Sequence, residues 1–447
     1  MAHNRLTALR AMVLTFKHDP FHTDPAESYT FYPDGLVVIQ DGKIRSVSAY
    51  SCAAVVDIEV IEYPNCVITA GFIDCHVHYP QTQMIGAFGE HLLEWLNQYT
   101  FIAEQQFSDK NHAKNVAALF LRELLRAGTT TAAVYCTVHP QSVEAFFEES
   151  TRFNTRMIAG KVLMDRNAPE ALLDSAQTGY QESQRLLQKW HGNGRQLYCI
   201  TPRFAPTSSE EQLAAAGRLW QENPGTYMQT HLCETTDEIA WVKQLFPSKK
   251  NYLDVYAHAG LTGPRAIFGH AVHMTEEDFC QCHQTGSALA HCPTSNLFLG
   301  SGLFQLFTAK KSSRPVRTGL GTDLGAGTSF SQLQTLSDAY KVSALNGTQL
   351  TALHAFYMAT AGGAQALYLE DKIGKVAAGY EADLVVLDLA SSPLIDFRMK
   401  YTHDFVEKLF VLMTLGDDRC VRATYVAGER VYDRSRNDPF SYATKNQ

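Results

Sequence analysis

Two histidines that could bind one metal ion stand one residue apart near the start of the chain. His76 and His78 end the apolar stretch "CVITAGFIDCHVH", which begins at Cys66. Side chains two positions apart on a β-strand share a face, so both imidazoles can reach the same ion. The alternative is that both are half-buried polar residues at the rim of a sheet. Because the pair alone is weak evidence, further ligands must come from elsewhere in the sequence.

Other reactive side chains also stand at the ends of predicted strands. "YMQTHLCET" carries Glu234, "IFGHAVHM" carries His270, and each has a histidine or an acid where a strand should end. The candidate metal ligands are three imidazoles and one carboxylate: His76, His78, His231 and Asp323. Such a set suits zinc and leaves one position for water, and His270 could be a fifth ligand or could hold that water. Taken singly, His231 could be a polar core residue and Asp323 a helix cap.

The middle of the chain alternates strand-like and helix-like patterns. Apolar runs rich in β-branched residues are separated by amphipathic stretches such as "NHAKNVAALFLRELLRAG". The eight predicted strands cover residues 67–78, 129–138, 156–165, 196–204, 226–234, 266–274, 287–296 and 317–323. Eight strand–helix units over about 300 residues predict a (β/α)8 barrel. Chemistry in such barrels takes place at the C-terminal ends of the strands, which is where the candidate residues lie.

Both ends of the chain are rich in short strands. "GLVVIQDGKIRSVSAY" has a D-G turn between two apolar runs, which is typical of a β-hairpin. "ADLVVLDL" and "CVRATYVAGERVYD" have the same character near the C-terminus. We therefore predict a small β-sandwich domain built from residues 1–66 and 375–447, and a catalytic barrel domain over residues 67–374.

The strand-end motifs resemble those of the amidohydrolase superfamily. The resemblance rests on "GFIDCHVH", on the histidines of predicted strands 5 and 6, and on "GTD" at strand 8. Four longer stretches are similar to members that deaminate purines: "HYPQTQMIGAFGEHLLEWLNQYTF", "TPRFAPTSS", "HLCET" and "AHCPTSNLFLGSG". The resemblance implies a metal-dependent hydrolase on a (β/α)8 barrel, with a β domain from both chain ends.

The expected number of metal ions depends on whether predicted strand 4 carries a lysine that could bridge two of them. Superfamily members with two metals bridge them through a lysine on strand 4, whereas the predicted strand 4, "QLYCITPRF", has none. Lys161 lies on predicted strand 3 and is interpreted as the partner of an acid in or under the barrel. We therefore expect one zinc ion per chain.

Deamination is the attack of water on a ring carbon that carries an amino group. Zinc lowers the pKa of bound water to roughly 7, so hydroxide is available at physiological pH. Asp323 can take the proton of the water, and Glu234 can carry protons to the ring nitrogen N3 and to the leaving amine. His270 can hydrogen-bond the hydroxide and the developing tetrahedral centre. The alternative for Glu234 is a solvated residue at the start of a helix.

The resemblance also places Gln81, Arg203 and Phe204 in the substrate pocket. Arg203 can donate two hydrogen bonds to a carbonyl and ring-nitrogen edge, and Phe204 offers an aromatic ring for stacking. Gln81 can both donate and accept. Without the resemblance, Arg203 would be read as a salt-bridged surface arginine. Seven other histidines are interpreted as structural or as supports of the site, with His291 nearest to it: His91, His112, His139, His258, His273, His283 and His291.

An aromatic segment, residues 81–107, follows the first predicted barrel strand. It could cover the site or form a subunit interface, and together with the resemblance it leads us to expect a homodimer. Two other functions stay open at this point. One is a related aminohydrolase that acts on a different purine, a pyrimidine or a triazine. The other is a barrel that binds without catalysis, which the full set of ligands and Glu234 disfavours.

The composition of the whole sequence limits which kinds of partner the protein is expected to bind. The formal net charge is −8, and no block of like charges indicates binding to nucleic acid or to an anionic membrane. No apolar run is long enough to predict a membrane span, and "MAHNRLTALRAMVLTF" is not a typical secretory signal. Ten cysteines without such a signal predict reduced thiols in a cytoplasmic protein. The resemblance implies a small-molecule purine as the substrate.

Overall fold

The computed structural model describes residues 6–51, 58–88 and 92–440. Two sheets organise them. Seven strands from the two chain ends form one sheet: β1 Leu6–Phe16, β2 Tyr29–Gln40, β3 Lys43–Ala49, β4 Glu59–Ala70, β14 Leu384–Asp388, β15 Val421–Val426 and β16 Glu429–Asp433. Nine strands form the other: β5 Phe72–His78, β6 Thr129–Tyr135, β7 Arg156–Gly160, β8 Val162–Leu163, β9 Leu197–Pro202, β10 Tyr227–Leu232, β11 Ala266–His270, β12 Ala288–His291 and β13 Arg317–Leu320.

The α-helices lie mainly between the strands of the second sheet. They are α1 Leu92–Trp95, α2 Phe101–Gln105, α3 Lys110–Arg126, α4 Pro140–Phe153, α5 Ala176–Trp190, α6 Glu210–Glu222, α7 Thr236–Leu245, α8 Tyr252–His258, α9 Glu276–Thr285, α10 Pro293–Phe298, α11 Leu306–Ala309, α12 Gln332–Leu345, α13 Ala352–Ala359, α14 Ala361–Ala366, α15 Pro393–Met399 and α16 Phe405–Leu415. A 3₁₀ turn, Tyr79–Met84, follows β5, and a π-helical turn, Leu96–Thr100, joins α1 to α2. No helix in the described part of the chain combines the length and the hydrophobicity that a membrane crossing requires.

Eight of the nine strands form a nearly closed parallel barrel. The order is β5, β6, β7, β9, β10, β11, β12 and β13, and the short β8 pairs with β9. The ring closes just beyond the end of β13, where the Asp323 amide donates to the His76 carbonyl oxygen at 2.9 Å. The Thr322 amide donates to Asp74 Oδ1 at 3.1 Å across the same seam. The predicted (β/α)8 barrel with a smaller β domain from both chain ends is confirmed.

The first predicted barrel strand, residues 67–78, is in fact two strands. β4 ends at Ala70 in the seven-stranded sheet, where it pairs with β1 and β14. The barrel strand begins at Phe72. Gly71 links them, and a Cβ atom there would lie 2.3 Å from Thr130 Oγ1. Both flanking segments are buried, so the apolar run continues unbroken across the link and gives no sign of the change of sheet.

Buried charges connect the two sheets at the N-terminal end of the barrel. This lower charge cluster consists of Arg156, Arg195, Glu381 and Asp383. Arg195 Nη2 donates to Glu381 Oε2 at 2.5 Å and also bonds Asp383. Arg156 Nε donates to Glu381 Oε2 at 2.9 Å. Because the two arginines precede or begin barrel strands and the two acids precede β14, the cluster fixes the barrel against the seven-stranded sheet.

Candidate active site

The four predicted metal ligands meet at the C-terminal end of the barrel. His76 and His78 end β5, His231 lies near the end of β10, and Asp323 follows β13. His78 Nε2 lies 3.2 Å from His231 Nε2. Asp323 Oδ1 lies 3.3 Å from His76 Nε2 and 3.4 Å from His78 Nε2. Asp323 caps no helix among the described residues, since the next helix, α12, begins at Gln332.

The spacing of these donor atoms fits a tetrahedral metal ion. Zinc bonds of about 2.0–2.1 Å place the corners of a tetrahedron about 3.3–3.4 Å apart, which matches the distances above. His76 Nε2 is buried and has no hydrogen-bond partner among the described residues. Burial lowers the pKa of all three imidazoles, which keeps the rings neutral as metal binding requires. The residues therefore fit a metal ion in both geometry and protonation.

A second set of potential ligands, His76, His270 and Cys292, shares one histidine with the first. Burial raises the pKa of the Cys292 thiol well above its ordinary value, so the thiol stays protonated. Its Sγ donates to the Ala290 carbonyl oxygen at 3.5 Å. A protonated thiol is a poor ligand, and the set with three histidines and Asp323 is the better metal site.

A hydrogen bond to the backbone orients the ring of His231. Its Nδ1 lies 2.6 Å from the carbonyl oxygen of Arg203, and a carbonyl can only accept, so Nδ1 carries the proton. Nε2 is therefore unprotonated and faces the other ligands.

Left-handed backbone conformations of non-glycine residues cluster at the site, at Cys233 with φ 50°, His270 with φ 69° and Asp323 with φ 47°. Such strained positions are typical of functional sites, where the surrounding structure holds them.

Glu234 is buried beside the candidate metal site. Only 2% of it is exposed, so it is not the solvated residue of the alternative interpretation. Its amide donates to Glu238 Oε2 at 2.8 Å, and its Oε1 accepts from Ser301 Oγ at 3.1 Å. Burial raises the pKa of Glu234 to about 7. A carboxyl group in this state can both accept and release a proton near neutral pH.

His270 lies between the two carboxylates. Its Nε2 is 3.5 Å from Glu234 Oε2 and 3.6 Å from Asp323 Oδ2. Its Nδ1 donates to Asn296 Oδ1 at 2.8 Å, which holds the ring. Burial lowers the pKa of His270, but the charges of Glu234 and Asp323 outweigh burial and the net shift is upward.

A cavity opens above these groups. Its lining contains the predicted substrate residues Gln81, Arg203 and Phe204. Other lining residues come from the ligand set, from Glu234 and His270, and from the aromatic segment: Leu92, Trp95 and Leu96. The described part of the aromatic segment thus covers the site, through α1 and the π-helical turn. Phe204 contacts Trp241 edge to face, with ring centroids 6.2 Å apart.

Arg203 is buried and forms an ion pair that the sequence did not indicate. Only 2% of Arg203 is exposed, which rules out the surface interpretation. Its Nη1 donates to both carboxylate oxygens of Glu104 at 2.8 Å each. Glu104, on α2, has no exposed surface. No motif marks Glu104 in the sequence, because its partner lies 99 residues away.

Comparison with known proteins places the chain in a family. The family model described as "Amidohydrolase family" matches residues 67–431. The chain belongs to the amidohydrolase family. Within it, the chain is 52% identical over 413 residues to the guanine deaminase of Escherichia coli strain K12, covering 92% of this chain and 94% of that protein.

Solved structures of the same family are also similar. The structure named E. coli guanine deaminase superposes with a TM-score of 0.93 at 50% identity, over 96% of this chain and all of that chain, 100%. The guanine deaminase of C. acetobutylicum, described with bound guanine in the active site, has a TM-score of 0.86 at 29% identity. That match covers 96% of this chain and 100% of the other.

The remaining predicted residues of this amidohydrolase lie around the site or away from it. Lys161 pairs with Asp174, as predicted for a lysine in the barrel. His291 is buried and stacks on Phe304 with ring centroids 4.7 Å apart, and burial lowers its pKa to about 3. His273 Nε2 donates to the carbonyl oxygen of Ser301, the residue that bonds Glu234, at 2.7 Å. Five more histidines were predicted to be structural. His91 lies outside the described residues, and the other four do not line the cavity: His112, His139, His258 and His283.

Proposed function

We propose that this protein is a guanine deaminase, which hydrolyses guanine to xanthine and ammonia. The observation that carries the proposal is that one cavity holds three kinds of group that the reaction needs. These are a metal-ligand set, a buried carboxyl group in Glu234, and a guanidinium in Arg203. The relatives named guanine deaminase, at up to 52% identity over nearly the whole chain, support the same activity.

We infer that the site holds one zinc ion per chain, with four ligands: His76, His78, His231 and Asp323. Zinc, when bound, lowers the pKa of water so that hydroxide forms near neutral pH. A second, lysine-bridged metal is not expected. The Lys161 ammonium is engaged by Asp174, and β9 contains no lysine.

The chain's own residues move the protons. Asp323 accepts a proton from the attacking water while the water oxygen forms a bond to C2 of guanine. Glu234 takes the second proton of the water and delivers it to N3. It then receives the first proton from Asp323 and delivers it to the amino nitrogen, so that the C2–N bond breaks, ammonia leaves and both carboxylates are regenerated. The raised pKa of Glu234, about 7, suits a group that both accepts and donates. His270, held by Asn296, donates to the oxygen as charge develops on it.

Substrate selection comes from the groups that line the cavity beyond the metal ligands. Guanine carries a carbonyl at C6, which can accept hydrogen bonds from Arg203. Adenine carries an amine donor there, and a buried donor set against a cation costs ~1–3 kcal/mol or more. Phe204 provides an aromatic surface for the ring, and Gln81 a side chain that can donate and accept. We therefore expect adenine to be a very poor substrate.

The direct test is an ultraviolet assay of purified protein with four bases: guanine, adenine, cytosine and 8-oxoguanine. We expect fast deamination of guanine and much slower turnover of adenine and cytosine. Preference for another base would replace guanine with that base as the substrate, since a related aminohydrolase could use the same metal site. Absence of turnover with every base in zinc-loaded protein would favour a barrel that only binds.

We also infer a homodimer. Several hydrophobic side chains in and near the aromatic segment are exposed on the single chain, including Phe88 at 72% and Ile102 at 58%. Exposed hydrophobic groups of this kind are typical of subunit interfaces. Light scattering at micromolar concentration should give twice the chain mass, and a monomer would contradict the inference.

The cellular setting we propose is the cytoplasm, where the enzyme would act in purine catabolism on the free base. All nine cysteines in the described residues are unpaired, as expected for a reducing compartment. The substrate is a small molecule, and neither nucleic acid nor membrane is a proposed partner.

A further inference from the structure

Glu104 lies behind the substrate cavity and contacts two residues that line it. Arg203 Nη1 donates to both of its oxygens at 2.8 Å. Burial raises the pKa of the Glu104 carboxyl, while the charge of Arg203 and the nearby Gln81 amide favour its ionised form. Gln81 and Arg203 line the cavity, whereas Glu104 does not. Glu104 therefore holds both polar groups of the substrate wall from the side away from the substrate.

The carboxylate of Glu104 restricts which way the Gln81 amide can point. An ionised carboxylate only accepts hydrogen bonds, so Gln81 must present its NH₂ group to Glu104. The carbonyl oxygen, Oε1, then faces the opposite side. In the structure Gln81 Oε1 packs against Gly325, where a Cβ atom would lie 2.0 Å from it.

Glu104 also restricts the guanidinium of Arg203. The carboxylate engages Nη1, and the other N–H groups of the planar guanidinium remain as donors. Among the described residues, the two bonds to Glu104 are the hydrogen bonds that hold the Arg203 side chain. The backbone of Arg203 is held separately, since its carbonyl oxygen accepts from His231 Nδ1 at 2.6 Å.

We propose that Glu104 is a positioning residue that gives the cavity its preference for purines with a carbonyl at C6. The inference rests on the proposed guanine deaminase function. With Glu104 in place, Arg203 is a fixed donor and Gln81 Oε1 is a fixed acceptor. The N1–C6 edge of guanine offers the complementary pair, an N–H donor and a carbonyl acceptor. The same edge of adenine offers the reverse pair, a ring-nitrogen acceptor and an amine donor.

The test compares two ligands that differ only at this edge. Hypoxanthine has the same N1–H and C6 carbonyl as guanine but no amine at C2, so it cannot be deaminated there. Adenine carries the reversed edge. Calorimetric Kd values for both bases, measured on zinc-loaded protein, give a hypoxanthine-to-adenine preference that does not depend on turnover.

The decisive variant is Glu104→Gln, which keeps the shape of the side chain but can donate as well as accept. We expect it to reduce the hypoxanthine-to-adenine preference at least about tenfold, the scale of one mispaired buried hydrogen bond. Glu104→Asp keeps a group that only accepts, so the preference should stay within about threefold of wild type. A merely structural role would weaken both bases alike and leave the ratio unchanged.

Asp174→Asn is the matched control. Asp174 is another carboxylate that pairs with a buried barrel cation, Lys161, but it does not line the cavity. It should leave the preference unchanged. An unchanged preference in folded Glu104→Gln would overturn the proposal, as would a wild type that does not prefer hypoxanthine. If Glu104→Gln does not fold, the same ratio is measured on Gln81→Met, which removes the acceptor that Glu104 is proposed to hold, and an unchanged ratio in that variant overturns the proposal.

Guanine turnover by the wild type separates this inference from the proposed function. A zinc-loaded wild type that releases no xanthine from guanine would overturn the function itself. A wild type that deaminates guanine, combined with a preference that survives Glu104→Gln, would overturn only the role of Glu104.

Discussion

The two ends of the barrel both bury charged side chains, but they use them differently. At the N-terminal end, Arg195 bonds Glu381 and Asp383, so the buried charges compensate one another. At the C-terminal end, Glu234 and Asp323 are buried as well, but they line a cavity together with His78 and His231. A buried charge is therefore not in itself a sign of chemistry. The charged groups available to a ligand are those that line a cavity.

This contrast predicts that substitutions at the two ends will separate activity from stability. Changes at the C-terminal end should lower turnover and leave the fold largely intact. Changes at the N-terminal end should destabilise the fold and leave the turnover of the folded protein largely unchanged.

The largest loss of activity should follow loss of the metal ligands. His231→Ala removes one imidazole from the set, so we expect zinc content to fall and deamination to drop to background. Elemental analysis of wild type should give about one zinc per chain, as the single ligand set requires. Two metals per chain in active enzyme would contradict the mononuclear site.

The second-largest loss of activity should follow Glu234→Gln. The amide keeps the size of the side chain but has no exchangeable acid proton, so turnover should fall by about 10²–10⁴, the usual contribution of a general acid–base group. Zinc should remain, because Glu234 is not one of the four ligands. Near-normal turnover in a fully zinc-loaded variant would remove Glu234 from the mechanism.

A smaller loss is expected at the substrate wall. Arg203→Ala should lower kcat/KM for guanine by at least ~10² while zinc content is unchanged. Arg203→Lys should restore little, because a point charge cannot replace the planar guanidinium. Steady-state kinetics of both variants provide the measurement. Wild-type efficiency in Arg203→Ala would mean that another residue recognises the purine.

The smallest effect on activity is expected at the lower charge cluster. Arg195→Met leaves the buried Asp383 without its guanidinium, and breaking a buried ion pair costs about 3–5 kcal/mol of unfolding free energy. Urea denaturation should show this loss, while kcat at 25 °C, per folded molecule, should stay within about twofold of wild type. The contrast between the two ends fails if Arg195→Met loses activity without losing stability.

The sequence was most informative where a potential metal ligand, a histidine or an aspartate, stands at the end of a predicted strand. His76, His78, His231 and Asp323 could be placed together because parallel barrel strands end at one face. Fold class was predictable for the same reason, since eight alternating units leave few other arrangements. The break between strands at Gly71 was not predictable, because two consecutive strands that are buried on both faces form one continuous apolar run in the sequence.

Glu104 shows a different limit. It lies on the short helix α2 within an aromatic segment, and nothing in its neighbourhood marks it as buried or paired. Its position follows only from a contact with Arg203, far away in the chain. Pairs of this kind depend on tertiary packing, and local pattern cannot supply them.

The connection between β5 and α3 has a consequence for how new substrates could arise. Gln81, Trp95 and Glu104 all come from this one stretch of chain, whereas the metal ligands and Glu234 come from the barrel strands and the residues just after them. Mutation or recombination confined to this stretch can therefore alter which base is admitted while the hydrolytic centre is inherited unchanged. New base specificities could therefore arise through substitutions in this one connection, in enzymes that keep their hydrolytic activity throughout.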